Sequence, residues 1–120
     1  MRRNPISKKV RMQVYEKYKG HCAYCGCELE LRDMQVDHIE SVYRAKCLNK
    51  EVDDSIENYM PSCRMCNYYK GTSTVEQFRN NLSDMLMRNV RRTFDYRLAL
   101  KYELVKEDIK PVVFYYEIKR

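Results

Sequence analysis

The 120-residue chain carries 23 basic and 17 acidic side chains, a formal charge of +6, and 44% hydrophobic residues, which suits one domain with a modest core. No apolar run is long enough to span a membrane, and "MRRNPISKKV" has neither the apolar stretch nor the cleavage site of a secretory signal. The expectation is a cytoplasmic protein with no membrane partner, whose closely paired cysteines serve metal rather than disulfides and whose basic excess favours an anionic partner, nucleic acid first.

In chain order, "ISKKVRMQVYEKYKGHC" predicts an amphipathic helix capped by Ser7, with Val10, Val14 and Tyr18 on one face and Gly20 as its stop. "CAYCGCELELRDMQVDHIE" then changes period. Leu29 and Leu31 alternate with charged residues, and Met34 and Val36 with polar ones, which predicts the short strands of a hairpin. From Ser41 to Ile56 no period holds, and the stretch is expected to be a long polar loop. "PSCRMCNYYKG" predicts a short helix entered just after Cys63. "TSTVEQFRNNLSDMLMRNVRRTFDYRLALKYEL" predicts further helix, with Thr74 and Gln77 as a capping box, a break near Asn89, and a stripe of Val75, Phe78, Leu82 and Met85 or Leu86. After Pro111, the β-branched and aromatic run "VVFYYEIK" predicts a final strand.

Two C-x-x-C pairs, Cys22 with Cys25 and Cys63 with Cys66, stand on either side of residues 26 to 62. Two-residue spacing lets a pair of thiolates grip one ion, and two pairs complete the closed tetrahedral set of a structural Zn2+. Gly26, directly after Cys25, suits the tight turn of a zinc knuckle and favours Cys25 over Cys27 as the ligand. Cys27 and Cys47 are left without a role. A first knuckle, a hairpin, and a second pair at a helix entry follow the chain order of a treble-clef zinc module. Such a closed site has no open position for chemistry.

Between the pairs lies "VDHIE", with Asp37 and His38 at the end of the expected hairpin strand, while Asn67 directly follows Cys66. Neighbouring strand residues point to opposite faces, so Asp37 and His38 serve one site only if the strand ends and bends there. Carboxylate and carboxamide oxygens suit a hard cation such as Mg2+ or Mn2+, and a neutral imidazole is the commonest general base.

At these residues the chain resembles the HNH endonuclease family, in the version whose ββα-metal site is buttressed by a four-cysteine zinc. The matching pieces, in family order, are "CAYCG", "VDHI", "ENYMPSCRMCN" and "YYKG", covering roughly residues 21 to 71. The resemblance implies that His38 is the general base, Asp37 a ligand of the catalytic Mg2+ or Mn2+, Asn58 the middle asparagine that holds the loop and orients the base, and Asn67 the second metal ligand. Arg64 and Lys70 are weaker candidates for phosphate contacts. Family members commonly follow the Asp-His pair with a proline and then a paired glycine, whereas here the chain reads "IESVYRAKCLNKEVDDSIEN". Farther on, Arg88, Arg91 and Arg92 fall on adjacent positions of one helical face, either a solvated surface or a second phosphate-binding patch.

The resulting expectation is an α+β protein. A small ββα-metal, treble-clef-like zinc module (residues 21–73) follows an N-terminal helix (1–20) and precedes a helical C-terminal extension (74–120) ending in a strand. Its expected function is metal-dependent hydrolysis of DNA, with RNA also admissible. With one site per chain, a homodimer joined through the C-terminal helices or the final strand is the simplest route to double-strand cleavage. The rival reading is a non-catalytic zinc-stabilised module that binds nucleic acid or protein.

Overall fold

The computed structural model describes residues 5–118. Helix α1 (Lys8–Glu16) begins where expected, with Ser7 Oγ accepting from the Val10 amide at 3.2 Å and Val14 fully buried. The predicted hairpin does not form. His21 and Glu28 make one isolated bridge, and Leu31–Asp33 is a 3-10 turn. The reason lies in α1. The Arg11 guanidinium donates to the carbonyls of Leu31 and Met34, and the Tyr15 hydroxyl donates to that of Leu29, so side chains satisfy the backbone that a neighbouring strand would have paired.

Strand β1 (Gln35–His38) pairs instead with β2 (Tyr59–Ser62), antiparallel, with Asp37 opposite Met60 and His38 opposite Tyr59. All four residues of β2 are buried, so no polar alternation marks it in the sequence, and Pro61 argues locally against a strand. The stretch between them is not a structureless loop. It holds α2 (Val42–Cys47), capped by Ser41 Oγ on the Arg44 amide, and a 3-10 turn at Ile56–Asn58.

Helix α3 (Arg64–Lys70) starts at Cys63, whose sulfur accepts from the Cys66 amide, and ends at Gly71 with φ +53°. Helix α4 (Val75–Asn80) has the expected Thr74–Gln77 capping box and runs through π-helical Asn81–Leu86 into α5 (Met87–Arg91). The wider π turn rotates the apolar face. Phe78 is buried, but Met85 and Leu86 face solvent, so the predicted stripe stops at Leu82. The break falls at Arg92–Thr93, a few residues beyond Asn89, where Thr93 caps α6 (Phe94–Lys101).

The expected C-terminal strand is replaced by an extended approach and a helical turn, α7 (Tyr115–Ile118), with Lys119 outside the described residues. Here the first knuckle captures the segment. The Tyr115 and Tyr116 amides donate to the carbonyls of Tyr24 and Ala23, and the Glu117 carboxylate accepts from the Phe114 amide. Phe114 stacks on Phe78 at 5.0 Å and meets Tyr24 edge-on, closing a core of Cys22, Ala23, Tyr24, Met60, Phe78 and Phe114. Each buried phenyl contributes roughly 2–3 kcal/mol. Gly26 has φ +82°, and a Cβ there would lie 2.6 Å from the Tyr115 ring, so both conformation and space require glycine. A second cluster of Val14, Met34 and Tyr59 fixes α1 to the sheet. No residue between Phe78 and Phe114 is buried: α5, α6 and the following segment leave the core and return to it.

Candidate metal and catalytic site

The four cysteines of the two C-x-x-C pairs converge. Their sulfurs all lie within 4.8 Å of one another, and Cys25 Sγ is 3.9 Å from Cys63 Sγ. Four sulfurs about 2.3 Å from a central ion stand about 3.8 Å apart at tetrahedral corners, so the cluster fits Zn2+. The first knuckle is closed by the Gly26 amide on the Cys22 carbonyl and docks on β2 through the Ala23 amide and the Pro61 carbonyl. Cys66 beside it draws the Cys22 pKa down to about 4, while that same contact pushes Cys66 up and burial pushes Cys25 up, so a thiophilic ion would have to displace the remaining protons. Cys27 sits beside the site, where burial first and the neighbouring Cys25 second push its thiol up to about 12, while Cys47 lies exposed in α2.

On β1, Asp37 points inward and is 5% exposed. Its Oδ2 accepts from the Tyr24 hydroxyl and lies 3.1 Å from the Lys70 ammonium, whose side chain is fully buried. Lys70 also donates to the His38 carbonyl at 3.0 Å. Burial, then the adjacent carboxylate, pushes the Tyr24 hydroxyl far above its ordinary range, so it remains a neutral donor. The predicted role of Lys70 as a phosphate contact is thereby corrected: a buried ammonium committed to Asp37 and a carbonyl cannot reach a solvent-borne phosphate.

The donor chemistry for a hard ion is present. Among the described residues the hydrogen bond to Asp37 Oδ1 is the long one from Lys70, at 3.5 Å. Asn67 lies three residues before Lys70 on α3, hence on the same helix face, and its side chain makes no hydrogen bond among the described residues. Carboxylate and carboxamide oxygens suit Mg2+ or Mn2+, and donors on a ligating carboxylate hold it in place. The ammonium 3.1 Å away lowers the attraction for a second cation, so such a site binds it weakly.

His38, the last residue of β1, faces different partners. Its ring meets Tyr59 edge-on at 5.0 Å, and its Nε2 is buried without a hydrogen bond among the described residues, 3.6 Å from Asp54 Oδ1. Asn58 is 6% exposed and ties the strand end to the loop: Oδ1 accepts from the Glu40 amide, and Nδ2 donates to the carbonyls of Glu40 and Asp53. Asp37 and His38 thus share the Lys70 ammonium, through side chain and carbonyl respectively. Sequence reasoning missed Tyr24 and Asp54. An acidic residue in a polar loop carries no signal of what it will face.

The remaining basic candidates divide. Arg64 and Arg92 are exposed and form no ion pair among the described residues. Arg88 pairs with Asp84 at 2.8 Å, and Arg91 grips Glu107 through Nε and Nη2. Glu107, also bonded by the Tyr96 hydroxyl, is held down to about 2 by Arg91 first and Tyr96 second. Arg91 is therefore a tie between α5 and the segment after α6, not an open phosphate ligand. Three arginines on one face do not make one patch.

The sequence model of the HNH endonuclease family matches residues 22–73, the span holding the cysteine cluster, Asp37, His38, Asn58 and Asn67. No curated protein matches the chain. Among solved structures, the type II-C Cas9 enzyme from Actinomyces naeslundii superposes with a TM-score of 0.54 at 20% identity, over 84% of this chain but only 11% of that one, a likeness of fold.

Proposed function

We propose that this chain is an HNH-type endonuclease that hydrolyses phosphodiester bonds of DNA, with His38 as general base. The observation that carries the reading is the setting of His38 in the matched segment: a half-buried imidazole at a strand end, its Nε2 beside a carboxylate whose loop Asn58 ties to that strand end, in the same segment as a metal-competent thiol cluster. The imidazole takes a proton from water, the water oxygen attacks phosphorus, and the P–O3′ bond breaks, leaving a 5′-phosphate and an O3′ alkoxide that takes a proton from solvent to become the 3′-hydroxyl. Asn58 keeps the base in place by tying the loop to the strand end. Zn2+ on Cys22, Cys25, Cys63 and Cys66 would join the two knuckles that carry β1 and α3. A divalent ion held by Asp37 and Asn67 would supply stabilisation of charge on the phosphate and the leaving oxygen. Arg64 and Arg92 are the phosphate-positioning candidates whose charge is open to solvent.

Incubation of supercoiled plasmid with zinc-loaded protein tests this, in Mg2+, in Mn2+ and in EDTA at a concentration that leaves the zinc in place. Wild type nicks or linearises the plasmid only with added ion, and His38→Ala reduces the rate about 10²- to 10⁴-fold while remaining folded and zinc-bound. One observation favours a non-catalytic module: the Asp37 carboxylate is already engaged by Lys70 and Tyr24. Absence of ion-dependent cleavage of any DNA or RNA by folded protein decides for that module.

A further inference from the structure

We propose that Asp54 is a positioning residue for His38: its carboxylate keeps the imidazole proton on Nε2, leaving Nδ1 as the nitrogen that accepts a proton. The inference deepens the reading of His38 as general base and rests on it for its catalytic part.

A neutral imidazole has one donor and one acceptor nitrogen, and the surroundings choose which is which. Nε2 of His38 is buried and has no hydrogen-bond partner among the described residues, a costly arrangement for a polar atom. The Asp54 carboxylate, at 3.6 Å, is just beyond hydrogen-bond length and on the side that Nε2 faces. A lone pair turned toward a carboxylate is repelled, whereas an N–H turned toward it is attracted, so the carboxylate selects the Nε2–H tautomer. Catalytic hydrogen bonds are often long in the ligand-free protein and tighten when substrate binds.

The surroundings hold Asp54 at this post. Tyr59, the cross-strand partner of His38, packs its ring edge-on against the imidazole and donates its hydroxyl to Asp54 Oδ1 at 3.2 Å, so one side chain spaces both. From the other side, Asn58 bonds the Asp53 carbonyl and both backbone groups of Glu40, fixing residue 53 against the strand end two residues beyond His38. The neighbouring Asp53 carboxylate accepts from the Ser55 hydroxyl and amide, which hold its pKa below the ordinary range, with His38 adding a smaller pull from beyond ion-pair distance. Lys70 bonds the His38 backbone carbonyl, not the ring, and Lys17 bonds the carbonyl of the cross-strand Tyr59. Among the described residues Asp54 is thus the carboxylate that stands within ion-pair distance of Nε2.

The chain has two histidines, His21 and His38, so the side-chain nitrogen spectrum is readily assigned. In 15N-labelled, zinc-loaded full-length protein, at a pH where His38 is neutral, two-bond 15N–1H correlations report which ring nitrogen carries hydrogen. The expected wild-type result is the Nε2–H form, with Asp54→Asn giving a mixture or the Nδ1–H form, and Asp54→Glu restoring Nε2–H. In plasmid cleavage, Asp54→Asn is expected to lower kcat about 10- to 100-fold with KM unchanged, and Asp54→Glu to recover part of the loss. An Nδ1–H tautomer in wild type, or an Asp54→Asn spectrum indistinguishable from wild type, overturns the proposal. If wild type cleaves nothing, the endonuclease reading fails on its own, while the tautomer measurement still decides the role of Asp54.

Discussion

Replacing Lys70 by methionine removes the ammonium that lies 3.1 Å from Asp37 Oδ2, at a place where the two side chains are 0% and 6% exposed. At an effective dielectric of about 20, this separation corresponds to an attraction of roughly 5 kcal/mol, much of which is offset by desolvating the two ions. The single variant loses the attraction and keeps the desolvated carboxylate, with the Tyr24 hydroxyl as its remaining short hydrogen bond. The expected destabilisation is therefore about 3–5 kcal/mol. Asp37→Asn leaves the ammonium buried without its counter-ion and costs a comparable amount. The double variant removes both charges while retaining an acceptor for Tyr24, so its loss should fall short of the sum of the single losses by at least about 2 kcal/mol. Urea unfolding of the four proteins at one fixed zinc concentration measures this, provided that the m-values agree. Additivity within about 0.5 kcal/mol would show that the two ions do not interact and would refute the reasoning.

Elemental analysis should give one zinc per chain, and Cys63→Ser should lose the metal and most of its thermal stability, because the energy of metal binding in a small module is also folding energy. Glu107, exposed and held down to about 2 from an ordinary value near 4.5, helps tie the segment after α6 to Arg91 only while ionised. A depressed carboxylate stabilises above its unfolded pKa and loses that contribution as pH falls, so the tie should loosen between pH 4.5 and about 2, read as the titration midpoint of the Glu107 carboxyl carbon by NMR. Arg64→Ala and Arg92→Ala should each weaken DNA binding on every sequence and reduce the steepness of its salt dependence by about one ion, whereas Arg88→Ala, already ion-paired, should change it less. Fluorescence anisotropy with a labelled duplex across a salt series checks this, and equal slopes for all three variants would return these arginines to the solvated surface.

The elements legible in the sequence were those whose cause is local. Ser7, the Thr74–Gln77 box and Cys63 start helices by bonds that span three residues, and the C-x-x-C pairs bring their own bite. Asn58 was placed by its position in a motif, and the structure gives it three bonds across the loop. What could not be read locally was every pairing made across the chain. β1 found its partner in the buried, proline-containing 59–62 stretch because Arg11 and Tyr15 had taken the nearer backbone carbonyls. "VVFYYEIK" has strand-forming residues, yet its amides met the knuckle carbonyls of Ala23 and Tyr24 and its Phe114 met Phe78, so burial overrode propensity. Lys70 looks in the sequence like a helix-terminal phosphate ligand and became a buried counter-ion, because α3 packs on β1 with Asp37 beneath it. Ligand spacing, caps and period are fixed within a few residues along the chain. Which charge faces which, and so which histidine nitrogen keeps its proton, depends on strands and helices that meet only when the whole domain closes.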